Sequence, residues 1–275
     1  MNLGVLTSLN ETVAENIQKV AEMGFSNCQL KCWDRSFLTD EYADMTRKAT
    51  EKYGVEITAL WCGWDDGIQN WNFYDGPLTL GLVPKAYRAD RVKMLLLGSS
   101  FAQKIGVNKI ITHLGFIPEN PATSEYMDLV NIVRYLAGIL RDREQKFLFE
   151  TGQETPVTLR RLIEDVGTGN LGINLDPANL LMYGKANPVD ALRVFGPYVM
   201  ELHGKDGEYP TDVKKLGKET VIGQGLVNFP VLIDELKKLG FDGTITIERE
   251  ISGEKQIQDI LYAKEYLTPL LRKIR

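Results

Sequence analysis

Glu150, Asp176, His203 and Glu248 each close a short apolar run: Phe147 to Phe149, Ile173 to Leu175, Met200 to Leu202, and Ile245 to Ile247. Runs of this kind read as strands buried on both faces of a parallel sheet. An ionisable group that ends such a strand needs a partner, because an unpaired buried charge is costly. Three carboxylates and one imidazole gathered at one end of a barrel would repel one another unless a divalent cation sat among them. Oxygen-rich ligands with a single imidazole suit a hard or borderline ion, so Mn²⁺ is the first expectation, with Mg²⁺, Co²⁺ or Zn²⁺ as alternatives. The competing reading is a set of salt bridges with Lys or Arg at the barrel mouth.

The elements that would position these residues repeat along the chain. Strand-like runs fall at Leu3–Leu6, Cys28–Lys31, Glu56–Trp61, Lys109–His113, Phe147–Glu150, Gly172–Asp176, Val199–His203 and Thr244–Glu248. Helical patterns lie between and after them, at Glu11–Met23, Asp40–Tyr53, Lys85–Ile105, Ser124–Gln145, Thr155–Asp165, Pro188–Val194, Phe229–Leu239 and Glu254–Arg272. Gly24, Gly54, Gly106 and Gly240 stand where left-handed helix ends are needed. Eight alternating units predict a (β/α)8 TIM barrel forming one domain over residues 1–275. Active sites of such barrels lie at the C-terminal strand ends. Both histidines of the chain, His113 and His203, fall there, as do Glu150, Asp176 and Glu248.

Composition narrows the function classes. A net charge of −5 and a pI near 5.3 argue against a nucleic-acid partner, which leaves a basic footprint. No run reaches the roughly 18 apolar residues of a membrane span, so no membrane partner is expected. Cys28, Cys32 and Cys62 are odd in number and lack ribbon spacing. With no signal-peptide core at the start, they predict a reduced, cytoplasmic setting. Gly223-Gln224-Gly225 is too short for a dinucleotide fingerprint and reads as a turn crossing the barrel mouth. The long stretch from Trp64 to Pro84 carries Trp64, Trp71, Phe73 and Tyr74 among acids and amides. It reads either as a lid over a carbohydrate or as a loop packed on the rim or on another subunit.

Thr112-His113-Leu114-Gly115, Phe149-Glu150-Thr151, Asn174 through Asn179, His203-Gly204-Lys205-Asp206 and Phe241-Asp242-Gly243 leading to Glu248 carry a resemblance over nearly the whole chain. In order and placement they resemble the xylose-isomerase-like barrel superfamily of sugar isomerases and epimerases, which includes ketose 3-epimerases and endonuclease IV. The resemblance implies that Glu150, Asp176, His203 and Glu248 are metal ligands. It also implies that Glu150 and Glu248 are the catalytic acid and base, working on opposite faces of a small sugar or sugar phosphate. A proton beside a carbonyl is only weakly acidic, so the enediolate left by its removal must be stabilised by a divalent ion. Return of a proton to the other face of the same carbon is epimerisation, and return to the neighbouring carbon is isomerisation. A keto-sugar lyase or dehydratase could use the same site.

Substrate contacts are expected from His113, Asn179, Lys205, Asp206 and Trp61. His113 either bonds a substrate oxygen or is a satisfied rim histidine. Lys205 and Asp206 either orient substrate or close a loop as a salt-bridged pair. Two positions depart from the epimerase pattern. Asn179 stands where a histidine is common, and no arginine follows His203 closely, leaving Lys205 as a point charge without a fork. Endonuclease IV-like DNA repair fits poorly, since its three-zinc cluster is rich in histidine and this chain has two. A non-catalytic sugar-binding barrel is opposed by the intact pair Glu150 and Glu248. A homodimer is the assembly the resemblance implies.

Overall fold

Apolar and β-branched runs flanked by glycine and polar turns form the strands, and amphipathic stretches between them form the helices. The computed structural model describes residues 1–272. Its first half runs β1 (Asn2–Ser8), α1 (Val13–Glu22), β2 (Asn27–Cys32), α2 (Asp40–Tyr53), β3 (Glu56–Cys62), α3 (Gly76–Thr79), α4 (Lys85–Lys104), β4 (Lys109–Thr112) and α5 (Ser124–Asp142). Next come β5 (Lys146–Glu150), α6 (Pro156–Val166), β6 (Leu171–Leu175), α7 (Pro177–Met182), α8 (Pro188–Phe195) and β7 (Val199–Gly204). The chain finishes with β8 (Asp206–Gly207), β9 (Glu219–Thr220), α9 (Phe229–Lys238), β10 (Thr244–Ile247) and α10 (Glu254–Leu271).

Eight of these strands close a barrel in the order β1-β10-β7-β6-β5-β4-β3-β2, every pairing parallel. The seam is made by β1 against β10, with Asn2 opposite Thr244 and Val5 opposite Ile247. The expected (β/α)8 architecture is therefore present. β8 and β9 form a separate antiparallel ribbon above β7.

Alternation along the strands sorts the side chains. Phe147 and Phe149 of β5, Ile173 and Leu175 of β6, and Ile245 and Ile247 of β10 are buried in the main core. Each such fully buried side chain contributes roughly 1.5–3 kcal/mol. The alternate positions point into the barrel, where Ala59, Trp61, Ile111 and Leu148 make a second, smaller apolar cluster. Helix starts are capped as their sequences suggest: the Thr123 hydroxyl accepts from the Tyr126 N–H, and that of Thr155 from Thr158. The four glycines expected at helix ends all have positive φ, from 65° to 76°.

The differences are local. The strands end at Thr112, Leu175 and Ile247, so His113, Asp176 and Glu248 lie one residue beyond them. A short helix, α7, begins directly after Asp176, and the β8–β9 ribbon follows His203. Neither was expected. α7 has only six residues, and in the sequence its apolar run merges with the loop that leads to Pro188.

Candidate metal centre and adjoining cavity

Glu150, Asp176, His203 and Glu248 come together at the C-terminal mouth of the barrel, each offering a ligand atom within 4.8 Å of the others. Their strands, β5, β6, β7 and β10, are consecutive neighbours in the sheet. His203 Nδ1 lies 3.4 Å from Glu150 Oε1, 3.6 Å from Asp176 Oδ2 and 3.1 Å from Glu248 Oε2.

Each ligand is held by the fold around it. Asp176 is the N-cap of α7: its Oδ1 accepts from the Asn179 N–H at 2.8 Å. The Thr151 hydroxyl ties the same turn to β5, donating to the Asp176 carbonyl and accepting from its N–H, both at 2.8 Å. Glu150 accepts from the Trp61 indole N–H through Oε2 and from Asn179 Nδ2 at 3.2 Å through Oε1. Asp176 Oδ2 and His203 Nδ1 are buried and have no hydrogen-bond partner. Orphaned buried polar atoms are rare, and a bound ion is one of their ordinary explanations. Three carboxylates and a ring nitrogen with a lone pair facing one point are the donor set a divalent ion requires.

Lys205 brings an ammonium group to the same cluster. Its Nζ lies 3.5 Å from Asp176 Oδ2, 3.4 Å from Glu248 Oε2 and 2.7 Å from Glu250 Oε1, and it donates to Asn179 Oδ1 at 3.3 Å. Burial alone would lower the Lys205 ammonium, but Glu248, Glu250 and Asp176 raise it well above its ordinary value. Burial would raise Glu248, yet Lys205 and His203 hold it well below the usual carboxylate range. Asp176 goes the other way: burial raises it, and Lys205 offsets only part.

Above the carboxylates opens a cavity of about 300 Å³. One wall is aromatic, built from Trp33, Trp61 and Trp71 with His113 and Tyr183. Trp33 sits at the hub, its ring 4.8 Å from Trp61, 5.5 Å from Trp64 and 6.5 Å from Trp71. Among the described residues, Lys31 is the only lysine or arginine lining the cavity.

The loop that carries Trp64 and Trp71 is firmly anchored. Arg91 of α4 is only 2% exposed, and it donates to the carbonyls of Ile68, Thr79 and Gly81 at 2.7–2.8 Å. Its Nε donates to Asp66 at 2.8 Å, and its guanidinium lies 4.3 Å from the Trp64 ring centroid. Farther along, the loop meets the turn after β4 backbone to backbone. A Cβ on Gly81 would come within 2.1 Å of Leu114, and one on Gly115 within 2.1 Å of Leu80. No side chain fits at either place. The aromatic roof is therefore built into the fold.

Four of the five residues expected to touch substrate gather here. Trp61, His113 and Asn179 line the cavity, and Lys205 stands beneath it. His113 Nδ1 is 3.2 Å from the Glu150 carbonyl, and its Nε2 is 3.6 Å from Glu150 Oε1. Asp206 is the exception. Its carboxylate accepts backbone N–H groups of Gly207, Gly223, Gly225 and Val227 at 2.8–3.1 Å. It closes the Gly223-Gln224-Gly225 turn and makes no pair with Lys205, whose ammonium meets Asp176, Glu248 and Glu250 instead. Lys31, Trp33 and Tyr183 escaped the sequence reading. Lys31 and Trp33 could have been found, since they stand at the end of β2 as the acids stand at theirs.

The model of the xylose isomerase-like TIM barrel family matches residues 17–268. A xylose isomerase domain protein from Planctomyces limnophilus is 33% identical, with a TM-score of 0.92 over 98% of this chain and 96% of that one. A D-tagatose 3-epimerase-like protein is 23% identical, with a TM-score of 0.77 over 98% and 97% of the two chains. An uncharacterized protein of Methanocaldococcus jannaschii is 25% identical over 98% of this chain and 89% of its own length. With the closed barrel and the four-residue cluster at its mouth, these matches place the chain in the family of xylose isomerase-like TIM barrels.

Proposed function

We propose that the protein is a divalent-metal-dependent isomerase or epimerase acting on a small unphosphorylated sugar. The observation that carries this reading is the approach of two carboxylates, Glu150 from β5 and Glu248 from β10, to one ring nitrogen of His203. Two further strands separate β5 from β10 in the sheet, so the two glutamates reach a bound sugar from different sides. Glu150, Asp176, His203 and Glu248 would hold a divalent ion, which would supply Lewis-acid stabilisation to the negative charge left by proton removal. One glutamate removes the proton beside the carbonyl, and the other returns a proton to the opposite face or to the next carbon. The Trp61 indole and the Asn179 amide hold the Glu150 carboxylate in place for that transfer. His113 faces the same carboxylate and is placed to bond a substrate oxygen.

The cavity lining favours a neutral sugar. Trp33, Trp61 and Trp71 offer faces against which the C–H side of a sugar can pack. Glu150, Glu248 and Glu250 line the same space, and Lys205 is already taken by acids. A phosphate would meet this field with only Lys31 to receive it.

The test is product analysis. Protein stripped with chelator and reloaded with Mn²⁺ or Mg²⁺ is incubated with aldoses, ketoses and their phosphates, and the sugars are separated by chromatography. An epimer or isomer formed from a free sugar, and lost with chelator, is the expected result. Conversion of phosphorylated sugars alone would contradict the neutral-substrate part of the reading.

A further inference from the structure

Barrels of this kind ordinarily fill their interior with branched apolar side chains. Directly beneath the ligand cluster this one is polar. Gln29 of β2, Asn174 of β6, Glu201 and His203 of β7 are all 0% exposed. Buried polar groups must find partners, and these find one another. His203 Nε2 lies 2.8 Å from Gln29 Oε1 and 3.0 Å from Asn174 Nδ2. Gln29 Nε2 donates to Asn174 Oδ1 at 3.1 Å. Two residues below His203, on the same face of β7, Glu201 accepts from Lys109 of β4. The column runs from the cluster down to a lysine side chain that is 27% exposed.

One ring nitrogen cannot serve both of its neighbours. A protonated Nε2 donates to the Gln29 carbonyl, whereas a bare Nε2 accepts from the Asn174 amide. The two states leave opposite things at Nδ1, the nitrogen that faces Glu150, Asp176 and Glu248. A lone pair at Nδ1 requires the proton on Nε2, which is the state bonded to Gln29. The Gln29 amide is itself oriented, since its N–H side is taken by Asn174 Oδ1. Its carbonyl must then turn toward His203.

We propose that Gln29 is the positioning residue of the metal histidine: its carbonyl accepts the Nε2 proton and so presents Nδ1 as the ligand. This rests on the metal reading of the site. It extends that reading to a strand, β2, that contributes no ligand. Partners of this type fix ring orientation and tautomer, and their loss typically weakens metal binding about 10–100-fold.

The chain has two histidines, so imidazole ¹⁵N labelling yields signals from two rings only. In wild-type protein loaded with diamagnetic Mg²⁺, His203 should carry its proton on Nε2 and exchange it slowly with water. Calorimetric titration with Mg²⁺ should show Gln29→Leu binding about 10–100-fold more weakly. Asn174→Ala, which removes both the donor used by the other tautomer and the acceptor that orients the Gln29 amide, should weaken binding less than Gln29→Leu does. Circular dichroism would establish that each variant is folded. Three results overturn the assignment: a proton on Nδ1 in the loaded wild type, unchanged affinity in folded Gln29→Leu, or a larger loss in Asn174→Ala than in Gln29→Leu. The wild-type spectrum decides the tautomer even if Gln29→Leu does not fold. A wild type that binds no divalent ion is a different failure, because it removes the metal reading itself.

Discussion

Glu150 and Lys205 do different work within a few ångströms of each other. In the proposed mechanism Glu150 both holds an ion and moves a proton, and an amide can do neither as a carboxylate does. Glu150→Gln should therefore fold normally but turn over substrate about 10²–10⁴-fold more slowly, the usual worth of a positioned acid or base. Activity within tenfold of wild type would remove the two-glutamate mechanism. Lys205 touches three acids and is itself buried. Removing one member of a buried charge cluster is strongly destabilising, typically by about 3–5 kcal/mol. Thermal melting of metal-free Lys205→Met should thus lie well below wild type, and Mn²⁺ should restore more stability to the variant than it adds to the parent. Equal gains from Mn²⁺ in both proteins would mean that Lys205 does not balance the carboxylates. At this scale the sequence was informative wherever a charged residue closed an apolar run, which is how Glu150, Asp176, His203 and Glu248 declare themselves. It was silent on Asp206, because nothing local shows that three backbone N–H groups near Gly223 arrive to occupy its carboxylate.

Among the elements, the loop between β3 and α4 matters most for recognition. Its aromatic residues and its length were legible, but its rigidity was not. That rigidity comes from Arg91, inside α4, a helix whose apolar and polar residues are only weakly segregated in the sequence. Arg91→Met leaves Asp66 and three carbonyls without their donor. Hydrogen exchange across residues 64–84 should rise and KM should increase, with little change at the barrel strands. Unaltered exchange in that segment would show that the glycine contact at Gly81 and Gly115 holds the loop alone. The eight barrel strands were readable because short apolar runs alternate with helical periods and glycine ends. The polar interior went unread for the same reason: Gln29, Asn174 and Glu201 sit inside runs whose outward neighbours are apolar, and only their alternation marks them as facing inward.

For the molecule as a whole, acid–base behaviour is set by charges the barrel keeps dry. Burial pushes the Glu154 carboxyl, just beyond β5, up to about 8 from an ordinary 4.5. The folded chain thus keeps a proton there that the unfolded chain releases. Stability from this group is complete below pH 4.5, falls as pH rises toward 8, and falls no further above it. Denaturant titrations of Glu154→Gln should show a flatter profile over that range and greater stability than wild type at pH 8. A variant less stable at pH 8 would mean that Glu154 is ionised in the folded protein. In the proposed function, metal, two glutamates and the aromatic cavity together labilise a proton beside a sugar carbonyl. Proton exchange in D₂O, followed by NMR with the Mn²⁺- or Mg²⁺-loaded protein and a panel of free aldoses and ketoses, tests it most directly. Deuterium should enter at the carbon next to the carbonyl, vanish with chelator, and be absent in Glu150→Gln. Metal bound in full with no exchange in any sugar of the panel would contradict the account.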